Sequence, residues 1–173
     1  VKVMANIYGR GTRLQNGTHD NVGPSDMRFG YEEYPARALT VPEIKERIQD
    51  FVDATVRARE AGFDAIELHA CTGKLISLFL SPYSNHRTDE YGGSVEGRAQ
   101  FLVEILKFMR QKIGNDYPLV VMLGVDDLLG KYGLTLEQGK QIAQLIEPYI
   151  DAIKPSCGTQ EKIWNISVGY AYP

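Results

Sequence analysis

The sequence predicts a parallel α/β fold made of strand–helix crossover units, with about four strands. Two observations predict it and a third narrows it. Four apolar runs, Val1–Ile7, Phe63–His69, Leu119–Val125 and Ile150–Lys154, read as strands covered on both faces. Between them lie three stretches with the 3.6-residue period of amphipathic helices. No Gly-x-Gly-x-x-Gly follows any strand, so a dinucleotide-binding sheet has no positive support.

The first helix is expected from Thr40 to Ala61, with Ile44, Ile48, Phe51, Val52 and Val56 on one face. Thr40 and Glu43 have the spacing of a capping box, and Gly62 stands where a helix end favours positive φ. The second runs from about Ser94 to Ile113 and carries Phe101, Leu102, Ile105, Leu106 and Met109. The third opens on another box, Thr135 to Gln138, and ends near Pro148. Gly11 to Ala38 is rich in Gly, Asn, Asp, Pro and Tyr without periodicity, and reads as a long excursion after the first strand. Crossovers between such strands are expected to be right-handed. A closed parallel barrel needs eight strands and typically about 250 residues. Residues 1–173 therefore read as a single partial (β/α) barrel segment, half of the closed form.

A chain that is 43% hydrophobic and 24% charged can build a core. A net charge of -3 argues against a nucleic-acid partner. The longest apolar runs, such as Leu119–Leu123, are too short to span a bilayer. No secretory signal opens the chain, and Val1 in place of Met implies a start inside a longer sequence. Cys71 and Cys157 form neither a metal spacing nor a disulfide framework, so a reducing cytoplasm is expected.

In parallel α/β folds functional groups gather at the carboxyl ends of the strands. Tyr8 to Arg10, His69 to Lys74, Gly124 to Asp127, and Lys154 to Gly158 would share that rim. His69 reads either as a packed rim histidine or as a donor to a substrate oxygen or a cofactor carbonyl. Glu67 points to the same side as His69 and needs a partner if it is enclosed. Lys74 and Lys154 read as solvated lysines, or as amines able to donate a proton or form an imine as in lysine aldolases. Asp126 and Asp127 form an acidic pair expected to face solvent, and no metal is expected. Neither cysteine has an activating partner in sequence, so both read as ordinary thiols.

The run Asn85-His86-Arg87-Thr88-Asp89-Glu90-Tyr91-Gly92-Gly93-Ser94, with Arg98, reads as a structural clamp. Arg87, Asp89, Glu90 and Arg98 can pair locally, and Gly92-Gly93 permits a tight turn into a helix capped by Ser94. Together with Ala61 to His69, Phe79-Leu80-Ser81-Pro82, Leu39-Thr40, Gly133-Leu134-Thr135 and Ser156-Cys157-Gly158, it resembles the Old Yellow Enzyme-type NADH:flavin oxidoreductases. The likeness covers roughly Leu39 to Gly158, and more weakly Gly9-Arg10.

That resemblance implies an FMN-containing TIM-barrel-like fold, of which strands three to six are present. It implies hydride transfer from NADH or NADPH through FMN to an activated C=C bond. In its substrate motif His-x-x-(His or Asn)-Gly-Tyr, His69 keeps the first position, Thr72 stands at the second and Lys74 at the Tyr. Thr72 can still donate one hydrogen bond, and Lys74 is the proton donor only if correctly placed. A charged ammonium there would favour anionic ligands instead. Met4 falls where the resemblance implies a Gln to the flavin, and Met122 where it implies an Arg near N1 and the C2 carbonyl. Methionine replaces neither donor set.

Two readings stay open. One is a flavin-dependent, ene-reductase-like oxidoreductase acting on a small-molecule substrate. The other is a catalytically degenerate, flavin-poor barrel segment serving as a structural or partner-binding subunit. Either way four strands expose two parallel edges, so the rest of a barrel, another chain or a homo-oligomer is the expected partner.

Overall fold

The computed structural model describes residues 1–9, 21–27 and 35–159. In chain order its strands are β1 (Met4–Ile7), β2 (Val22–Gly23), β3 (Arg37–Ala38), β4 (Ala65–Ala70), β5 (Leu119–Asp126) and β6 (Ala152–Cys157). Its α-helices are α1 (Val41–Glu60), α2 (Leu75–Leu80), α3 (Val95–Ile113) and α4 (Leu136–Ile146). The main sheet has the order β1-β4-β5-β6, parallel throughout, as four consecutive barrel strands would have. All four expected strands are therefore present, in sequence order across the sheet. The described parts of the excursion hold a small parallel pair, β2 with β3, and one antiparallel bridge between Met27 and Ala36. Arg10 and most of the excursion lie outside the described residues.

One face of the sheet is the core. Ile66, Leu68, Ala70, Leu119, Val121 and Leu123 are buried under the helices. On α3 all five expected positions, Phe101, Leu102, Ile105, Leu106 and Met109, are fully buried. On α1 the stripe is shifted slightly: Thr55 is buried, its hydroxyl donating to the Phe51 carbonyl at 2.9 Å, while Val56 is only half-buried. Both capping boxes form, at Thr40–Glu43 and Thr135–Gln138. The exposed carboxyl of Glu43 is lowered to about 2, chiefly by Arg37 and then by the Thr40 backbone and hydroxyl.

Three local expectations need correction. The last strand begins at Ala152 rather than Ile150, because Glu147–Tyr149 form a turn of 3-10 helix first. It also runs on through Pro155, which an edge strand tolerates because one side has no ladder to satisfy. Finally, α2 is a helix the periodicity does not reveal. Leu-Ile-Ser-Leu-Phe-Leu is apolar nearly all round, and five of its six residues are buried. A short run of that kind reads equally as strand or buried helix.

The clamp ties the irregular crossover between α2 and α3. Asn85 Nδ2 donates to the carbonyls of Phe79 at 2.7 Å and Tyr91 at 2.8 Å, and its Oδ1 accepts from the Arg87 amide. Arg87 grips Asp89 and donates to the carbonyls of Pro24 and Leu39 at 2.8 and 2.6 Å. Arg98, expected to pair with carboxylates, donates instead to the carbonyls of Leu80 at 2.9 Å and Gly93 at 2.6 Å. Among the described residues, Glu90 is exposed and takes no part. Gly92 is obligatory, since a Cβ there would lie 2.2 Å from the Arg87 carbonyl oxygen. Gly93 follows with φ +72°, which a side chain would strain.

Asn85→Ala strands two buried carbonyls and an amide, at about 1–3 kcal/mol for each unsatisfied group. Urea denaturation is expected to show a loss of at least about 3 kcal/mol; a loss under 1 kcal/mol would show that the clamp is not a stability element.

Candidate functional site

The other face of the sheet carries polar side chains. Sheet register puts Asn6 beside Glu67, His69 beside Met122, and Met122 beside Lys154. Alternation along each strand sends Met4, Asn6, Glu67, His69, Met122 and Lys154 to this one face, away from the core. Glu67 is buried at 4% exposure and has the partners its position requires. Asn6 Nδ2 donates to Oε1, and Lys154 Nζ lies 3.3 Å from Oε2. Lys154 is thus ion-paired to Glu67.

At the carboxyl end of β4 the chain turns sharply. The Lys74 amide donates to the Cys71 carbonyl at 3.2 Å, across Thr72 (φ 48°) and Gly73 (φ 71°). Positive φ at a β-branched residue costs about 1–3 kcal/mol and marks a position held by its surroundings. The turn brings Thr72 Oγ1 to 3.3 Å from His69 Nε2, with Cys71 Sγ 3.2 Å from the same nitrogen. Tyr8, just beyond β1, meets His69 edge-on at 6.1 Å between ring centroids. The ammonium of Lys74 lies 5.2 Å over the Tyr8 ring, a cation–π distance. His69, Thr72 and Lys74 are therefore gathered at one rim as expected. Tyr8 is the group that residue-by-residue reading undervalued; its place at a strand end was the one signal for it.

The other rim residues have different duties. Asp127, expected to face solvent, is buried and accepts from the Ser81 hydroxyl and from the Leu134 amide at 2.7 Å. Burial pushes its carboxyl up despite those donors. Asp126 accepts from the Leu128 amide at 2.7 Å. Both aspartates thus shape the loop after β5. Among the described residues no group of three His, Cys, Asp or Glu side chains could hold a metal ion. Both cysteines are free thiols, and burial is the first cause raising each above its ordinary range, so neither is poised as a thiolate. No described helix is long and apolar enough to cross a membrane.

Burial, then the Lys74 charge, hold the His69 imidazole below its ordinary 6.5, while Glu67 opposes them and Lys154 adds to them. A histidine depressed in the folded state stabilises the fold above its unfolded pKa and loses that contribution as pH falls through the folded value. At neutral pH His69 is therefore an uncharged imidazole. An NMR titration of the His69 ring protons is expected to give a midpoint below 6.5, rising in Lys74→Met. A midpoint at or above 6.5 would contradict this electrostatic picture.

Residues 2–162 match the NADH:flavin oxidoreductase / NADH oxidase family. The chain is 42% identical over 150 residues to an NADH oxidase of Thermoanaerobacter brockii, covering 85% of this chain and 23% of that protein. It is 37% identical over 157 residues to an NADPH dehydrogenase of Clostridium acetobutylicum, covering 91% of this chain and 46% of that one. Its fold superposes on the Old Yellow Enzyme homologue of Zymomonas mobilis with a TM-score of 0.78 at 27% identity, over 90% of this chain and 48% of that structure. The chain spans less than half the length of each, consistent with a partial barrel. FMN and a reduced nicotinamide are what this kinship implies. By sequence and by fold, the chain belongs to the NADH:flavin oxidoreductase / NADH oxidase family.

Proposed function

We propose that this chain supplies half of an FMN-dependent barrel that moves hydride from NADH or NADPH to an activated C=C bond, with the end of β4 as the acceptor site. The observation that carries the reading is the cluster of His69, Thr72 and Lys74 around Tyr8, set on the polar face at the carboxyl ends of the strands. The uncovered edges of β1 and β6 and the polar face between them would be completed by the remaining strands, in the same or another chain.

The donor set fits a flavin, through a different residue from the one the resemblance implies. Met122 offers no donor, but Lys154, its register partner, carries an ammonium on the same face. Reduced flavin bears negative charge near N1, which such a cation would stabilise. Met4 and Met122 would then serve as apolar contacts. When bound, FMN supplies the hydride relay between nicotinamide and acceptor.

The chain's own residues would do the rest. The neutral His69 imidazole and the Thr72 hydroxyl would hold the acceptor's activating oxygen, where charge develops as the double bond is reduced. Hydride reaches the β-carbon and the π pair shifts toward that oxygen. The Lys74 ammonium would give a proton to the α-carbon and regain one from water. One hydride and one proton saturate the bond, and the nicotinamide is oxidised by two electrons.

Met4 and Met122 also favour the second reading, a flavin-poor structural subunit. Visible absorption on adding FMN separates the two. A yellow, NADPH-bleachable complex is expected, with binding weakened about tenfold or more in Lys154→Met, the loss of a charge-assisted bond. A colourless protein that ignores FMN would overturn the oxidoreductase reading in favour of the subunit.

A further inference from the structure

Glu67 is a carboxylate at a position that folding alone would fill with an apolar side chain. It is 4% exposed, and replacing a buried ion pair by well-packed hydrocarbon often costs nothing. Its two oxygens are divided between partners on opposite sides of β4. Asn6, its register neighbour on β1, donates to Oε1 and anchors the carboxylate. Lys154 approaches Oε2 from β6, two strands away on the other side. Neighbouring strands lie about 4.8 Å apart, so the two side chains together bridge about 10 Å across β5. Register gives the direction of that reach. Lys154 is level with Met122, and Met122 with His69, while Glu67 lies two residues nearer the amino end of β4. The ammonium is therefore drawn down the sheet, away from the carboxyl ends of the strands.

The two ends of this bridge are held unequally. The carboxylate is fixed by burial and by Asn6. The Lys154 side chain is 58% exposed, and its 3.3 Å contact is longer than the roughly 2.7–2.9 Å of a close ammonium–carboxylate bond. An ammonium has three donors, and among the described residues Glu67 is its one hydrogen-bond partner. An anchored anion and a half-open cation make a tether, in which the anion sets where the cation's charge is felt.

We infer that Glu67 is a positioning residue, which holds the Lys154 ammonium low on the uncovered face and so limits the charge that Lys154 presents to a reduced flavin. This rests on the reading of Lys154 as the flavin's cation. Reduced flavin carries negative charge that the oxidised form lacks, so the tether weakens binding of the reduced form more. The midpoint potential of bound flavin follows that ratio, at about 30 mV for each tenfold in a two-electron couple.

The test uses the full chain with Glu67→Gln, Glu67→Asp and Lys154→Met, and takes acetic anhydride and FMN as probes. Glutamine keeps an acceptor for Asn6 and removes the charge. Aspartate keeps the charge and withdraws it by one methylene. The first readout needs no flavin: acetylation of Lys154, followed by peptide mass spectrometry. It is expected to be about two- to fivefold faster in both Glu67 variants, the range of a half-open ion pair. The second readout is the midpoint potential of bound FMN against a reference dye. Glu67→Gln is expected to favour the reduced form by about tenfold, or about 30 mV, and Glu67→Asp by less. In a Lys154→Met background the Glu67→Gln shift is expected to vanish. A shift that persists there shows Glu67 acting by its own charge and overturns the inference. An unchanged acetylation rate, or FMN bound at an unchanged potential, overturns it too; all three results leave the oxidoreductase reading standing. Should Glu67→Gln not fold, Glu67→Asp carries the same comparisons. FMN ignored by every form of the protein overturns the oxidoreductase reading and this inference with it.

Discussion

The structure depends on the capture of backbone carbonyls by three side chains, two in the segment between α2 and α3 and one in the first turn of α3. Residues 81 to 94 form no regular element apart from turns, yet Ser81, Ser84, Asn85 and Tyr91 are buried. A buried irregular segment is tolerable only where its polar backbone groups find partners. Asn85, Arg87 and Arg98 provide them, binding the carbonyls of Phe79, Tyr91, Pro24, Leu39, Leu80 and Gly93. These bonds reach from the excursion after β1 to the start of α3, which seats α2 against the end of β4. The rim that carries His69 and Lys74 is therefore positioned by a device that takes no part in chemistry.

How much of this could be read beforehand follows from the distance over which each interaction acts. The strands and the three long helices were legible because alternation, period and capping are local patterns, and Thr40 and Thr135 cap as their spacing requires. His69, Thr72 and Lys74 were legible as a group for the same reason, lying within six consecutive residues. The partners of Glu67 were not, since Asn6 and Lys154 are 61 and 87 residues away and meet it only through sheet register. The buried state of Asp127 was hidden likewise, because Ser81 lies 46 residues back in the chain. Arg98 misled in another way. A guanidinium near acidic residues reads as an ion pair, but the carbonyls of Leu80 and Gly93 take its donors instead.

The division between the two faces of the sheet gives the functional account its shape. One face is packed by helices and explains the fold. The other carries Asn6, Glu67, His69, Met122 and Lys154, a polar surface that stability alone would not select. Two methionines stand where the resemblance implies polar contacts to flavin, while Lys154 adds a cation one strand across from Met122. The chain therefore keeps the family's scaffold and, against what the resemblance implies, carries a different set of charges on the uncovered face of the sheet and at the rim.

The central claim is that this polar face and the rim above it form the cofactor and acceptor site. Amide hydrogen exchange with and without FMN addresses it residue by residue. The account predicts slowed exchange at His69 to Lys74 and at Lys154 to Gly158, with the outer helices α1, α3 and α4 unchanged. Exchange that stays the same at the rim, or that slows only along the outer helices, would contradict it.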